Sequence, residues 1–391
     1  MHKSETKINI QHNLKKVNIP FNKPYFSGKE GYNMTIAAQS GKISGNGYYT
    51  QKCHSFLEKK YSFKKVLLTT SCTDALEMSS LLIDIQPGDE VIVPSFTFVS
   101  TANAFILRGA KIVFADSEDK YPNIDAAKLE PLITKKTKAI VVVHYSGVAC
   151  NMDEIMQIAT KHNIFVIEDA AQAIDSYYKN KSLGSIGHLA TFSFHETKNI
   201  ISGEGGMLVI NDENFLKRAE IIWEKGTNRA AFHRGEINKY GWVDIGSSYL
   251  PSEITAAFLF AQLEEIEDIQ QKRKSIWESY FQKLKNLELQ GHFDLQHIPE
   301  YATNNGHMFF LVAKNLNERV KLINFLKTNN IQAVFHYLPL HESDYYKNKH
   351  DGRPLANAIK FSNRIVRLPF YYSLEENEID FICQKIHEFY K

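Results

Sequence analysis

The chain has 391 residues, 43% hydrophobic and 23% charged, with 46 Lys+Arg against 44 Asp+Glu. That length exceeds one ordinary core and predicts a large and a small domain. A formal charge of +2 gives no argument for nucleic acid or an anionic membrane as a partner. The cysteines Cys53, Cys72, Cys150 and Cys383 are scattered, with no Cys-x-x-Cys pair and no His-x-x-His companion. This pattern predicts reduced thiols in a cytoplasmic protein, not disulfides or a zinc site. No run approaches the roughly twenty apolar residues that span a bilayer. Residues 1–18 are polar and lysine-rich, without the apolar centre of a signal peptide, and are expected to form a flexible extension.

Short β-branched runs then recur with helical patterns between them: Val66–Thr69, Glu90–Val93, Lys111–Ala115, Ala139–Val143, Ile164–Glu168, Ala190–Phe194 and Gly206–Ile210. Most are apolar throughout, as strands buried on both faces are, so a mainly parallel seven-stranded sheet covered by helices is expected. Pro87-Gly88-Asp89 and Arg108-Gly109-Ala110 mark turns into strands. The α/β domain is expected over 19–270. Ser252 to Tyr280 reads as a long helical stretch leading out of it. Met308–Val312, Glu318–Lys327, Ala333–His336 and Glu376–Tyr390 then predict a small α+β domain over 271–391.

In open α/β sheets, ligands bind at the carboxyl ends of the strands, and four groups fall there. Val66–Thr69 runs into Thr70-Ser71-Cys72-Thr73-Asp74, small polar residues that open a helix. Such an N-terminus binds phosphate through free N–H groups, although taken alone the segment reads as a plain N-cap by Ser71 or Thr73. Pro94-Ser-Phe-Thr-Phe98 offers Phe96 or Phe98 as a plate for a flat heterocycle, or as ordinary core. Asp169 follows the fifth run, where a lone carboxylate usually caps a helix. Ser193 and Lys198 follow the sixth, and a lone lysine is most often a solvated charge. The order of these groups on successive strands carries the reading. Phosphate cup, aromatic plate, carboxylate and amine are what pyridoxal phosphate (PLP) requires: a lysine for its aldehyde and an anion for its pyridine nitrogen. Neither Gly-x-Gly-x-x-Gly after a strand nor Gly-x-x-x-x-Gly-Lys-Ser/Thr is present.

From about Ile19 almost to the C-terminus the chain resembles the sugar aminotransferases of the DegT/DnrJ/EryC1/StrS family, which adopt the fold-type I PLP architecture. The motifs are Gly-Asp-Glu-Val-Ile-Val-Pro-Ser-Phe-Thr-Phe-Val-Ser-Thr (88–101), Val-His-Tyr-Ser-Gly-Val (143–148), Glu-Asp-Ala-Ala-Gln (168–172) and Phe-Ser-Phe-His-Glu-Thr-Lys-Asn (192–199). Glu-Lys-Gly-Thr-Asn-Arg (224–229), Asp-Ile-Gly-Ser-Ser-Tyr-Leu (244–250) and Val-Phe-His-Tyr-Leu-Pro-Leu-His (334–341) are similar to the members that make dTDP-4-amino-4,6-dideoxygalactose for surface polysaccharide.

The resemblance implies that Lys198 holds PLP covalently and shuttles the proton, and that Asp169 pairs with the pyridine nitrogen. It implies Gln172 at the ring hydroxyl, Phe98 against the ring, and Thr73, Asp74 and Ser193 at the phosphate. Many members carry an asparagine in Gly-x-Asn-x-Arg/Lys that reaches the neighbouring subunit's phosphate. Here the segment is Gly246-Ser-Ser248-Tyr-Leu250, with Ser248 as the substitute. Arg229 is the candidate for the sugar nucleotide's diphosphate, and His336, Tyr337 and His341 for the sugar pocket. The implied enzyme is a homodimer that moves an amino group from L-glutamate to the 4-keto carbon of dTDP-4-keto-6-deoxyglucose. The alternatives are a 3-aminotransferase, a GDP-sugar enzyme making perosamine, or a non-catalytic PLP-binding regulator. A helix-turn-helix extension would mark the last, and the N-terminal tail is too short to hold one.

Overall fold

A computed structural model describes residues 18–391, so the extension expected over 1–18 lies outside the described residues except for Asn18. The expected strands form as β1 (Lys65–Thr69), β2 (Glu90–Pro94), β3 (Lys111–Ala115), β4 (Thr137–Val143) and β5 (Phe165–Asp169). A small hairpin, β6 (Tyr177–Tyr178) and β7 (Lys181–Ser182), precedes β8 (Leu189–Ser193) and β9 (Gly206–Ile210). Seven of these make one sheet in the order β1-β9-β8-β5-β4-β2-β3. β9 runs antiparallel to both its neighbours, and the remaining pairs are parallel. Six carboxyl ends therefore share one edge, together with the start of β9.

Alternate strand residues feed two cores, one on each face. Leu68, Ile92, Ile140, Val166 and Val209 join one cluster, and Leu67, Val91, Val141, Ile167 and Leu208 join the other. Burial on both faces is why these runs are apolar throughout, at roughly 1.5–3 kcal/mol for each fully buried aliphatic side chain.

The small domain is a three-stranded antiparallel sheet, β10 (Asp294–Leu295), β11 (Phe310–Val312) and β12 (Ile365–Arg367), in that order. Helices Leu316–Thr328 and Glu376–Phe389 pack on it. The stretch expected to be one helix from Ser252 breaks at Glu265 into Glu253–Glu264 and Ile266–Leu289. The second helix spans the expected 270/271 boundary. Its Ile266 and Ile269 pack in the large domain's core, and its Ile276 to Leu287 in the small one's. Ile19 also packs in the small domain, paired with Ile331, although sequence grouped it with the large one. No described helix is long and apolar enough to cross a membrane.

Candidate active site

A cavity of about 570 Å³ opens at the carboxyl edge of the sheet, where the small domain covers it. Its lining includes Thr73, Phe98, Asp169, Gln172, Ser193, Lys198, His336 and Tyr337 from the residues singled out by sequence.

The first wall is the turn from β1 into helix Cys72–Leu82. Ser71 is its N-cap and accepts from Asp74 N–H at 3.1 Å. The Asp74 amide is thereby occupied, and its carboxylate accepts from the Thr70 hydroxyl. The N–H groups of Cys72 and Thr73 have no acceptor among the described residues and sit at the positive end of the helix. Thr73 Oγ1 donates to Ser100 Oγ at 2.8 Å. Across from them Ser193, the last residue of β8, accepts from His195 N–H at 3.3 Å and keeps its own proton for a ligand. These groups form an anion cup. Gly206 makes the cup possible, since a Cβ there would stand 2.4 Å from Cys72 N and from Ser71 C. It pairs with Thr69 on one side and Ser193 on the other, so the helix start lies directly on β9.

β5 ends on Asp169, which is 5% exposed. Thr101 Oγ1 donates to its Oδ2 at 2.7 Å and Ala171 N–H to its Oδ1 at 3.2 Å. Burial nevertheless pushes its pKa above the ordinary carboxylate value, with Thr101, Ala171 and the charge of Lys198 only partly offsetting it. Such an anion is poised for a cation placed against it. Gln172 Oε1 accepts from Ser146 N–H at 2.6 Å, and its Nε2 donates to Tyr337 Oη at 3.2 Å.

The turn after β8 is stitched by Phe194 N–H to Gly205 O (2.8 Å), Ser202 N–H to Phe194 O (2.7 Å) and Glu196 N–H to Gly203 O (2.9 Å). It presents Lys198, which forms no ion pair among the described residues. Burial, and behind it the charge of Arg367, lowers its pKa against the raising effect of Cys72 and Asp169, which favours the free amine a nucleophile needs. Its neighbour Asn199 donates to Gln270 and to Asn305 O, both at 2.9 Å, so its carbonyl oxygen accepts from His307 Nδ1 at 2.8 Å. Burial keeps His307 neutral.

The small domain supplies the lid. The His336 and Tyr337 rings lie 3.4 Å apart, Tyr145 Oη meets His336 Nδ1 at 2.9 Å, and Arg367 reaches in from β12. Phe98 stands 56% exposed at the mouth. His341 lies outside the lining, its Nδ1 2.6 Å from Ser95 Oγ. Ser248 and Arg229 lie elsewhere too, in a separate hollow of about 390 Å³ with Lys42, Lys225 and His233. Sequence reasoning passed over Thr97, Thr101, His307 and Arg367. The i,i+4 hydroxyls of Thr97 and Thr101 (2.9 Å) and an arginine in the apolar run Ile365–Leu368 were the available signals.

Known proteins resemble this chain along its length. It is 33% identical over 373 residues to GDP-perosamine synthase of Escherichia coli O157:H7, covering 95% of this chain and 98% of that one. It is 32% identical over 389 residues to spore coat polysaccharide biosynthesis protein SpsC of Bacillus subtilis (strain 168), with 95% and 97% covered. The Streptococcus pneumoniae protein Spr1654, solved in a PLP form, superposes with a TM-score of 0.86 at 27% identity, over 95% of this chain and 98% of that one. The DegT/DnrJ/EryC1/StrS aminotransferase family matches residues 27–387, and the chain belongs to it, a PLP-dependent sugar aminotransferase of fold type I.

Proposed function

We propose that the protein transfers an amino group from L-glutamate to the 4-keto carbon of dTDP-4-keto-6-deoxyglucose, giving dTDP-4-amino-4,6-dideoxygalactose for surface polysaccharide. The observation that carries the aminotransferase chemistry is the meeting of Lys198, Asp169 and the anion cup in one cavity. The dTDP-linked substrate is supported by the motifs at 224–229, 244–250 and 334–341.

Lys198 would hold the cofactor covalently, and its freed amine would take the proton from the donor's α-carbon in the first half-reaction and supply a proton to the sugar carbon in the second. Asp169 keeps the pyridine nitrogen protonated. Gln172 holds the ring hydroxyl, and Phe98 covers the ring. The Cys72 and Thr73 N–H groups with Ser193 hold the phosphate, while Asp74 braces that turn through Thr70. Bound there, PLP supplies the electron sink that makes the α-proton removable.

Exposed apolar residues support a homodimer. Phe26, Tyr32, Ile36 and Tyr48 lie on and beside the first two helices, and Trp242, Val243 and Ile245 follow the short helix Arg229–His233. In that dimer Arg229 and Ser248 serve the partner's site from their own hollow, and His341 shapes the sugar pocket through Ser95. Free thiols at all four cysteines favour the cytoplasm.

A GDP-linked keto-sugar is the second reading, favoured by the likeness to GDP-perosamine synthase. Mass spectrometry and NMR of the product from glutamate with dTDP-4-keto-6-deoxyglucose, its 3-keto isomer or the GDP analogue decide between them. Turnover confined to the 3-keto isomer or the GDP analogue overturns the dTDP 4-amino assignment.

A further inference from the structure

His307 lies just before β11 and is pinned on three sides. Its N–H donates to Asn305 Oδ1 at 3.0 Å, its carbonyl accepts from Arg273 Nη2 at 2.7 Å, and its Nδ1 meets Asn199 Oδ1 at 2.8 Å. Asn305 in turn donates to Gln172 O at 2.9 Å and Ile174 O at 2.8 Å. The ring is therefore carried on the turn that follows Asp169, although its residue belongs to the small domain.

The same network decides where the ring's proton sits. Asn199 Nδ2 gives its protons to Gln270 and to the backbone carbonyl of Asn305, which can only accept. Asn199 Oδ1 can only accept as well, so the proton in the Nδ1 contact belongs to His307. Burial keeps the ring neutral, which leaves Nε2 with a lone pair and no proton. Nε2 has no partner among the described residues and is not sealed off by them, so it opens on the cavity that the ring lines. His336 is set the other way. Tyr145 Oη meets only His336 Nδ1 among the described residues and so donates to it, which puts the His336 proton on Nε2. Tyr337 accepts from Gln172 and keeps its own proton for a ligand. His336 and Tyr337 thus have protons to give, and His307 presents a bare acceptor.

We infer that His307 Nε2 receives the hydroxyl next to the keto carbon of the nucleotide-linked sugar, an inference that deepens the function proposed above and rests on it. The two substrates part company at this point. Glutamate brings carboxylates, which have no proton for Nε2, whereas a keto-sugar brings hydroxyls. Position selects which hydroxyl. Asn199, which fixes the ring, directly follows Lys198 in the chain, and the charge of Lys198 is felt at His307. A sugar whose keto carbon takes the place held by the Lys198 amine carries its 3-hydroxyl on the adjoining carbon. A site that bonds this O–H rejects the sugar lacking it, because its own acceptor is then left unpaired.

The test uses holoenzyme carrying His307→Asn. The asparagine amide can replace the Nδ1 side of the imidazole, so it keeps a donor for Asn199 and deletes the acceptor at the cavity. Single-turnover amination of dTDP-4-keto-6-deoxyglucose is compared with that of its 3-deoxy analogue, and the glutamate half-reaction is followed by itself. The parent sugar should bind the variant roughly 5- to 50-fold more weakly than it binds the wild type, while glutamate stays within about twofold. The wild type should disfavour the 3-deoxy analogue by the same roughly 5- to 50-fold, and the variant should no longer distinguish the two sugars. Equilibrium binding of both sugars to borohydride-reduced holoenzyme gives a readout without turnover and should follow the same order. A variant that still distinguishes the two sugars overturns the assignment. So does an equal loss in both half-reactions, which would give Nε2 to the Lys198 amine. If the variant does not fold, the wild type decides alone, and equal affinity for the two sugars overturns the assignment. A wild type that aminates no 4-keto sugar sinks the function proposed above. One that does so while failing these comparisons sinks only this role for His307.

Discussion

Thr101 donates its hydroxyl to Asp169 at 2.7 Å, and since that carboxylate is acceptor only, Thr97, 2.9 Å from Thr101, must donate in turn. A relay of two hydroxyls thus holds the carboxylate proposed to face the pyridine nitrogen. Thr101→Val keeps the shape and removes the donor. It should cost about 1.5–3 kcal/mol of ionised carboxylate, roughly a 10- to 100-fold loss in kcat at low pH. Thr101 is among the groups pulling the Asp169 pKa down against burial, so its loss raises that pKa further. The acidic limb of kcat against pH should move to higher pH; an unmoved limb refutes the relay.

Asp169→Asn removes the charge and keeps the hydrogen-bonding outline. Turnover should fall on the order of 10²–10³-fold or more, with the far-UV CD spectrum unchanged. Near-normal turnover would count decisively against the cofactor assignment. The cofactor-free protein tells a second story. Burial holds the native pKa of Asp169 above its unfolded value. The native state therefore binds the proton more tightly, and this carboxyl's contribution to stability falls as pH rises through the window between the two values. The asparagine variant should lack that part of the decline when melting temperature is followed against pH.

How far the site was legible follows from where its residues sit. The seven strands announced themselves because burial on both faces excludes polar residues, and Asp169 and Lys198 because, with the other polar groups, they come in order at or shortly after the ends of such runs. Thr101 lies 68 residues from Asp169, and nothing local tells that its hydroxyl turns toward the carboxylate. His336 lies in an irregular segment and His341 in the short 3-10 turn Leu340–Glu342 that follows, neither with a periodic pattern. One meets Tyr145 at the cavity and the other turns away to Ser95, a choice made by packing between domains. The break at Glu265 was equally hidden, because the residues on both sides are good helix formers.

Gly206 is required by space, not by its backbone angles. Its missing Cβ lets the start of helix Cys72–Leu82 rest on β9. Gly206→Ala should push that helix end off the sheet, at about 1–3 kcal/mol of overpacking. The displaced N–H groups belong to the anion cup, so PLP affinity measured by fluorescence quenching should weaken with the melting temperature. A variant destabilised with full PLP affinity would separate the cup from the packing.

Trp242, 84% exposed, is the most accessible of the large apolar residues among those described. If its surface is the dimer contact, Trp242→Asp buries a charge there and should shift sedimentation toward the monomer at micromolar concentration. Activity per chain should fall with it if Arg229 and Ser248 serve the partner's site as proposed. A monomeric wild type removes the basis for both statements.

Lys198 gives the complementary pH behaviour. Burial lowers its native pKa below the ordinary lysine value, with the Arg367 charge adding to the effect. In the cofactor-free protein burial disfavours the ammonium form of this side chain relative to the unfolded chain. The unfolded chain there binds the proton more tightly than the native one, so this residue's contribution improves as pH rises from the native pKa toward the unfolded value. Lys198→Met replaces the amine by an apolar chain of similar length. It should raise the melting temperature of the cofactor-free protein at pH values below the unfolded lysine pKa, and the gain should fade as pH approaches about 10.4. The same substitution removes the proposed covalent anchor, so added PLP should no longer give the visible band of the wild type, and borohydride should trap no adduct. A variant that still traps the cofactor would place the anchoring amine elsewhere.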